Sequence, residues 1–164
     1  MKAVSDELGD HLKHGKVTVF AKTHDTPRLI ASVGKPYTFS GVHHKDVPFK
    51  PVLHGIMDTV KEICGKDFNS ALINLYRDGK DYIGAHRDNE GSVKDFCVAT
   101  LSLGTTRNMV WRLYADKKCK MKMALKPGSI VVFGEEVNTL YTHEIPKQLR
   151  VIEERMSITF RHLQ

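Results

Sequence analysis

Eight short β-like runs follow one another through the second part of the sequence, and this succession constrains the fold more than any other feature. The runs cover residues 70–76, 82–87, 96–103, 108–114, 120–125, 129–133, 139–145 and 156–163. Turn-forming residues punctuate them at Asp78-Gly79, Gly104, Asp116-Lys117-Lys118 and Pro127-Gly128. Many evenly spaced strands favour a β-sandwich or jelly roll, and periodicity leaves another small α+β domain open as the alternative.

One helix and three shorter strands are predicted before these runs. Apolar residues between positions 51 and 65 recur at spacings of three and four, which indicates an amphipathic helix. Strands are predicted at residues 17–21, 28–33 and 37–39, with a turn at 23–27 and a frayed polar segment over about the first fifteen residues. The chain contains neither repeat nor linker, so we expect one mainly β (α+β) domain with a single long packed helix.

The composition is that of a globular domain with a basic surface. The 164 residues are 41% hydrophobic and carry a formal net charge of +6, and basic surfaces attract polyanions such as nucleic acid. Neither a membrane span nor a secretory signal is expected, because long apolar runs are missing. Cys64, Cys97 and Cys119 are odd in number and lack CxxC spacing, so we expect a reducing intracellular compartment, nucleus or cytoplasm.

The motif His86-Arg87-Asp88 ends one of the predicted strands. Residues two apart in an extended chain share a face, so the imidazole and the carboxylate lie side by side. They are two of the three ligands of a 2-His-1-carboxylate site for non-haem iron(II), although a surface histidine beside a solvated aspartate gives the same pattern. His143 and His162 are the later candidates for the third ligand. His143 is favoured because it lies in a predicted strand, whereas His162 is interpreted as a solvated residue near the chain end.

Two further strands each present polar side chains on one face. The last strand alternates apolar residues with Arg155, Ser157, Thr159 and Arg161. Arginine suits bidentate capture of a carboxylate, such as the distal carboxylate of 2-oxoglutarate, and an edge strand with its polar face in water is the alternative. Asn74 and Tyr76 share a face of their strand, where they can bind a dicarboxylate or form a satisfied polar pair inside a barrel.

Taken together, Asn74-Leu75-Tyr76, His86-Arg87-Asp88, His143 and Arg155…Arg161 resemble the motifs of the AlkB family of Fe(II)- and 2-oxoglutarate-dependent nucleic-acid demethylases. The segments ALINLYRDGKDYIGAHRDNE (71–90) and YTFSG (37–41) are most similar to the mammalian type that repairs duplex DNA. The resemblance covers roughly residues 17–163. It implies one AlkB-like domain over residues 1–164, with a nucleotide-recognition lid at about 1–50 and a double-stranded β-helix (jelly roll) at 68–163.

The resemblance also implies a role for individual residues. The catalytic iron ligands would be His86, Asp88 and His143. The 2-oxoglutarate contacts would be Asn74, Tyr76, Arg155, Thr159 and Arg161. The substrate contacts would be Phe20, Arg28, Tyr37, Phe39, Ser40, Asn89 and Glu90. Among these, Phe39 would stack on a flipped base and Phe20 would fill the gap that the base leaves, while ordinary strand packing explains either aromatic equally well.

The implied reaction is the oxidative demethylation of 1-methyladenine and 3-methylcytosine in DNA, a repair of alkylation damage that uses O2 and releases formaldehyde, succinate and CO2. Methylated DNA or RNA would be the partner of a monomeric protein. Two residues depart from the family pattern: Ser157 stands where the family has asparagine, and Asn89 stands where the duplex-repair type has an acidic residue. Demethylation of RNA or single strands, possible for a viral member, is the first alternative. A catalytically idle nucleic-acid-binding module and a hydroxylase of proteins or small molecules are the others.

Overall fold

The computed structural model of the chain describes residues 1–19, 22–39, 42–44, 47–88 and 96–164. These residues form three antiparallel sheets, of which the two larger ones carry the core. Strands of the first are β1 (Lys13–Val19), β2 (Lys22–Gly34), β5 (Ser70–Tyr76), β7 (Cys97–Gly104), β10 (Ile130–Gly134) and β12 (Arg155–Arg161). Strands of the second are β6 (Ile83–His86), β8 (Arg107–Leu113), β9 (Lys120–Leu125) and β11 (Tyr141–Ile145). The short strands β3 (Tyr37–Phe39) and β4 (Val42–His44) pair only with each other among the described strands.

The strand order combines antiparallel pairs of consecutive strands, such as β1 with β2 and β8 with β9, with pairs of strands that are distant in sequence, such as β5 with β12. The large sheet runs β1-β2-β5-β12-β7-β10 and the small sheet runs β6-β11-β8-β9. Strands β5 and β12 lie at the centre of the large sheet, and every residue of both strands is buried. A central strand with polar residues on one buried face needs an enclosed polar site, so the alternation seen in β12 points into the molecule and not into water.

The predicted long helix is confirmed as α2 (Pro51–Cys64). It begins with Pro51 at its first turn and ends at Gly65, which takes a left-handed conformation with φ +62°. Leu53 and Val60 on its apolar face are buried in the same core cluster as β5 and β12. A mainly β architecture with one long helix is therefore confirmed. None of the helices in the described ranges is long and apolar enough to cross a membrane.

The prediction of a frayed amino-terminal segment was wrong. Residues Lys2–Leu8 form a helix, α1, whose Val4 and Leu8 side chains are buried in the main core. The Glu7 carboxylate accepts hydrogen bonds from the backbone N–H groups of Val52 and Leu53, at 2.8 and 2.9 Å. These N–H groups belong to the first turn of α2, which has no partners for them within the helix. The polar side chain of Glu7 thus caps a neighbouring helix, and its own segment is folded instead of frayed.

The predicted turn at residues 23–27 was also wrong, because these residues lie inside β2. β1 and β2 pair antiparallel from Val19 opposite Lys22 onward, and the register shifts between His14 and Lys16. Such a bulge accommodates Pro27, which has no N–H to donate to the ladder. A third correction concerns residues 139 and 140, which end a short helix, α3 (Glu135–Leu140), before β11 begins.

Candidate active site

Two strands of the small sheet bring three metal-binding side chains together. β6 and β11 pair antiparallel with His86 directly opposite His143, and their ring centroids are 4.3 Å apart. Asp88 follows β6, and its Oδ1 lies 3.6 Å from Nε2 of His86 and 3.8 Å from Nε2 of His143. The three ligand atoms all lie within 4.8 Å of one another. Two imidazoles and one carboxylate converging in this way fit a divalent metal and leave coordination positions open.

Each of the three ligands is oriented by a neighbouring group. The carbonyl of Gly84 accepts a hydrogen bond from Nδ1 of His86 at 2.8 Å, which leaves the Nε2 lone pair available for a metal. The ring of His143 packs against Trp111, with centroids 4.9 Å apart. Nη2 of Arg161 donates to Oδ2 of Asp88 at 3.0 Å, so the other oxygen, Oδ1, is the one that faces the histidines.

The electrostatic environment favours the metal-binding form of each ligand. Burial, reinforced by the nearby His86, lowers the pKa of His143 to about 4. Burial also lowers the pKa of His86, although the charge of Asp88 opposes this effect. For Asp88 burial alone would raise the pKa, but Arg161 and the two histidines outweigh it and the pKa is lowered. At neutral pH the site therefore presents two neutral imidazoles and one carboxylate, the states that bind metal ions.

A cavity between the two sheets adjoins these ligands and contains a buried arginine. Arg155 is 1% exposed, and its Nη2 donates to Oγ of Ser102 at 3.0 Å. Its Nε and Nη1 have no hydrogen-bond partner among the described residues. Buried donors left unpaired cost free energy, and a guanidinium edge is the geometry that a carboxylate pairs with. The cavity thus fits a carboxylate-bearing molecule held close to a metal.

Comparison with known proteins decides the family. Residues 9–161 match the profile of the 2OG-Fe(II) oxygenase superfamily, which covers most of the chain. The chain belongs to this superfamily. It is 36% identical over 160 residues to the DNA oxidative demethylase ALKBH2 of Mus musculus, covering 90% of this chain and 66% of that protein. It is 32% identical over 153 residues to the alpha-ketoglutarate-dependent dioxygenase alkB homolog 3 of Homo sapiens, covering 85% of this chain and 52% of that protein. The chain therefore spans between half and two thirds of the length of these relatives.

A solved structure supports the fold of this AlkB-type oxygenase. The structure of OsALKBH1 superposes with a TM-score of 0.64 at 16% identity, over 98% of this chain and 90% of that one. The predicted jelly roll is thereby confirmed. The predicted resemblance to AlkB proteins is confirmed by the sequence relatives. The superfamily also confirms the predicted cofactors, namely Fe(II) and 2-oxoglutarate with O2, which the three ligands and Arg155 are able to hold.

The residues expected to contact 2-oxoglutarate all line the cavity that adjoins the metal ligands. These are Asn74, Tyr76, Arg155, Thr159 and Arg161. Ser157 lines the same cavity. The guanidinium carbon Cζ of Arg155 lies 5.2 Å from the centroid of the Tyr76 ring. The hydroxyls of Thr159 and Thr100 are 3.1 Å apart. Ser157 lies opposite Asn74 in the register of β12 and β5, so the shorter side chain at this departure from the family pattern still faces the pocket.

Most of the residues expected to contact the substrate lie outside the described residues, or only their backbone pairing is described. Phe20, Ser40, Asn89 and Glu90 lie outside the described residues, and of Tyr37 and Phe39 only the pairing of their strand is described. Arg28 is the exception. It is buried, and its Nε donates to Oδ1 of Asn74 at 2.6 Å while Nη1 donates to the carbonyl of Tyr82 at 3.3 Å.

Thr100, Ser102 and Asn138 are polar residues of the site that were not predicted from the sequence. Thr100, which bonds Thr159, and Ser102, which pairs with Arg155, could have been found because they alternate with apolar residues in a largely buried strand. Asn138 could not have been found in this way. Its amide binds the backbone of Asp88, and the two residues are fifty positions apart with no shared pattern.

Proposed function

We propose that this oxygenase removes methyl groups from the ring nitrogens of N-methylated bases in nucleic acid. The observation that carries the proposal is the cavity that holds His86, Asp88, His143 and Arg155 together. A metal ligand set and a buried carboxylate receptor in one cavity are the two requirements of an oxygenase that consumes 2-oxoglutarate. Nucleic acid as the substrate is supported by the name of the mouse relative, a DNA oxidative demethylase, and by the net charge of +6.

Different residues would bind the metal and the co-substrate. His86, Asp88 and His143 would hold Fe(II), and Arg155 would pair with a carboxylate of 2-oxoglutarate. With both groups bound, one oxygen atom of O2 would go to the methyl carbon and the other to 2-oxoglutarate, which would become succinate and CO2. The hydroxymethyl group would then leave as formaldehyde: the electron pair of the broken C–N bond stays on the ring nitrogen, which loses its positive charge, and the hydroxyl proton goes to water. The protein contributes by positioning the reactants and excluding water.

A second pocket beside Asp88 would give the substrate a route to the metal. It is lined by Arg87, Asp88, Asn138 and Thr139. Arg87 is exposed there, and its guanidinium stacks on the ring of Tyr114 at 4.4 Å. Since Asp88 borders both pockets, a base entering from this side would bring its methyl group to the metal while 2-oxoglutarate occupies the inner cavity.

We further propose that the segment of residues 1–50 acts as the lid for the base, with the jelly roll at 68–163 as the catalytic part. In this proposal Tyr37, Phe39 and Ser40 form the base pocket with Asn89 and Glu90, and Phe20 fills the gap in a duplex. Arg28 would contribute through Asn74, because its guanidinium is buried against that amide.

The test compares 1-methyladenine and 3-methylcytosine in single-stranded and duplex DNA and RNA. Succinate and formaldehyde are measured with Fe(II) and 2-oxoglutarate, and Asp88→Asn provides the matched inactive control. We expect equal amounts of formaldehyde and restored base, with DNA preferred. If no methylated base gives formaldehyde above the Asp88→Asn background, the demethylase proposal fails and a binding module or another hydroxylase remains.

Strand preference is tested by a second comparison. Phe20→Ala should lower turnover on methylated duplex DNA while leaving methylated single strands unchanged, because only the duplex loses stacking when a base is flipped. A strong preference of the unaltered protein for single strands or RNA would remove the wedge role of Phe20 and favour the RNA or single-strand alternative.

A further inference from the structure

The side chain of Asn138 forms a reciprocal pair of hydrogen bonds with the backbone of the metal ligand Asp88. Oδ1 of Asn138 accepts from the N–H of Asp88 at 2.9 Å, and Nδ2 donates to the carbonyl of Asp88 at 2.7 Å. Asn138 is 9% exposed, and both hydrogen bonds are buried. A carboxamide satisfies one donor and one acceptor of a peptide at once, as a neighbouring strand would do.

The backbone of Asp88 lies where the sheet itself does not hold it. β6 ends at His86, and its pairing with β11 consists of His86 opposite His143 and Ile83 opposite Ile145. Asp88 lies two residues further along the chain, beyond this pairing. The sheet therefore fixes the two imidazoles, whereas the position of the carboxylate depends on other contacts.

We propose that Asn138 is a positioning residue of the metal centre, which fixes the backbone of Asp88 so that its carboxylate is directed at the two histidines before a metal binds. Arg161 holds Oδ2 of the carboxylate, and Asn138 holds the peptide groups on either side of the same residue. Two anchors on one ligand remove the freedom that the end of a strand would otherwise have. A ligand arranged in advance loses less conformational entropy when the metal binds.

The two hydrogen bonds between Asn138 and the backbone of Asp88, here called the clamp, also join two of the three ligands to each other. Asn138 lies in α3, five residues before His143, and α3 leads directly into β11. A neighbouring bond supports the same connection, since Nη1 of Arg87 donates to the carbonyl of Thr139 at 3.3 Å. Asn138 therefore links the segment after β6 to the segment that carries His143, and the distance between the Asp88 and His143 ligand atoms depends on it.

The chain contains a matched control for this clamp. Asn69 makes the same reciprocal pair with the backbone of Leu163: Nδ2 donates to the carbonyl and Oδ1 accepts from the N–H, both at 2.8 Å. Neither Asn69 nor Leu163 is among the residues that line the cavity. Asn69→Ala thus removes two hydrogen bonds of the same kind and similar length, while the backbone hydrogen bond from Asn69 to the carbonyl of Arg161, at 3.0 Å, does not involve the replaced side chain.

The decisive measurement is metal affinity without turnover. Mn²⁺ binding to the whole chain is measured by calorimetry, and the absorption bands of bound Co²⁺ report the ligand geometry. For Asn138→Ala we expect Mn²⁺ to bind about 10-fold to 100-fold more weakly, the range typical of groups that orient metal ligands, with altered Co²⁺ bands. For Asn69→Ala we expect thermal stability to fall, whereas the dissociation constant for Mn²⁺ and the Co²⁺ bands should stay unchanged.

A second variant covers the case in which Asn138→Ala does not fold. Asn138→Asp has nearly the same shape and can still accept from the N–H of Asp88, but it cannot donate to the carbonyl. Its added negative charge would by itself strengthen cation binding, so weaker Mn²⁺ binding identifies the lost hydrogen bond as the cause. The proposal is overturned if the folded variants at position 138 bind Mn²⁺ as tightly as the unaltered protein. It is equally overturned if Asn69→Ala weakens Mn²⁺ binding as much as they do.

Discussion

Arg161 holds Asp88 by the carboxylate oxygen that does not face the histidines. Its Nη2 lies 3.0 Å from Oδ2, and both side chains are buried. Arg161 belongs to β12 in the large sheet, whereas Asp88 follows β6 in the small sheet, so this ion pair joins the two sheets at the metal site. One contact thereby keeps the carboxylate ionised, directs its free oxygen and fixes the spacing of the two layers that enclose the cavity.

Replacing Arg161 should damage both the metal site and the fold. Arg161→Gln leaves Asp88 as a buried carboxylate without its cation, and breaking a buried pair from one side costs about 3–5 kcal/mol. We expect urea unfolding of the metal-free protein to show a loss of this order and calorimetry to show weaker Mn²⁺ binding. Arg161→Lys keeps the positive charge and should retain part of both properties. Unchanged Mn²⁺ affinity in Arg161→Gln would show that the ion pair does not orient Asp88.

Replacing Arg155 should have the opposite effect on stability from replacing Arg161. The guanidinium of Arg155 is buried, and two of its nitrogens have no hydrogen-bond partner in the described part of the chain. The metal-free protein therefore bears the cost of a desolvated charge, and burial lowers the pKa of Arg155. Arg155→Met fills a similar volume without the charge, so the cost of burying an unpaired guanidinium is removed. We expect a melting temperature equal to or above that of the unaltered protein, and loss of the extra stability that 2-oxoglutarate confers in the presence of Mn²⁺. If 2-oxoglutarate stabilises the variant as before, its carboxylate binds elsewhere.

The contrast between these residues and Asn138 shows which parts of the site a sequence can reveal. His86 with Asp88, and Arg155 with Arg161, are close in sequence, so strand alternation alone places each pair on one face. How these pairs come together in one site could not be predicted from the sequence, because the 4.3 Å separation of the histidine rings depends on the register of β6 and β11. Asn138 binds the backbone of Asp88, and Gly84 acts through its own carbonyl, so neither contact leaves a residue pattern. The correction in α1 has a similar cause, since Glu7 finds its partners in a segment distant along the chain. The correction in β2 depends on the register shift in its pairing with β1, which the residue pattern does not indicate.

Arg107 exemplifies a stabilising residue that no motif indicated. It is 0% exposed and donates to the carbonyls of Asp78, Asp81 and Pro146 at 2.8 to 2.9 Å. These carbonyls belong to the connections beside β6 and β11, the strands that carry the histidines. Arg107→Lys keeps the charge but cannot reach all three carbonyls with its single nitrogen. We expect a loss of about 2–4 kcal/mol in urea unfolding, from at least two lost charge-assisted hydrogen bonds. If the free energy of unfolding of Arg107→Lys equals that of the unaltered protein within experimental error, these connections do not depend on the guanidinium.

The depressed pKa of His143 predicts how the stability of the metal-free protein depends on pH. The pKa is about 4 in the folded chain against 6.5 for an ordinary histidine, so the unfolded chain takes up the proton first as the pH falls. Stability is thus fully present above pH 6.5, falls as the pH drops below it, and stops falling from this source below about pH 4. Between pH 7 and pH 5 the loss amounts to about 2 kcal/mol from His143 alone, and His86 acts in the same direction. Urea unfolding in the presence of a chelator should show this slope, and His143→Gln, which has no group titrating there, should reduce it. An equal slope in both proteins would mean that His143 is protonated in the folded state, which would be incompatible with a ligand kept neutral by burial.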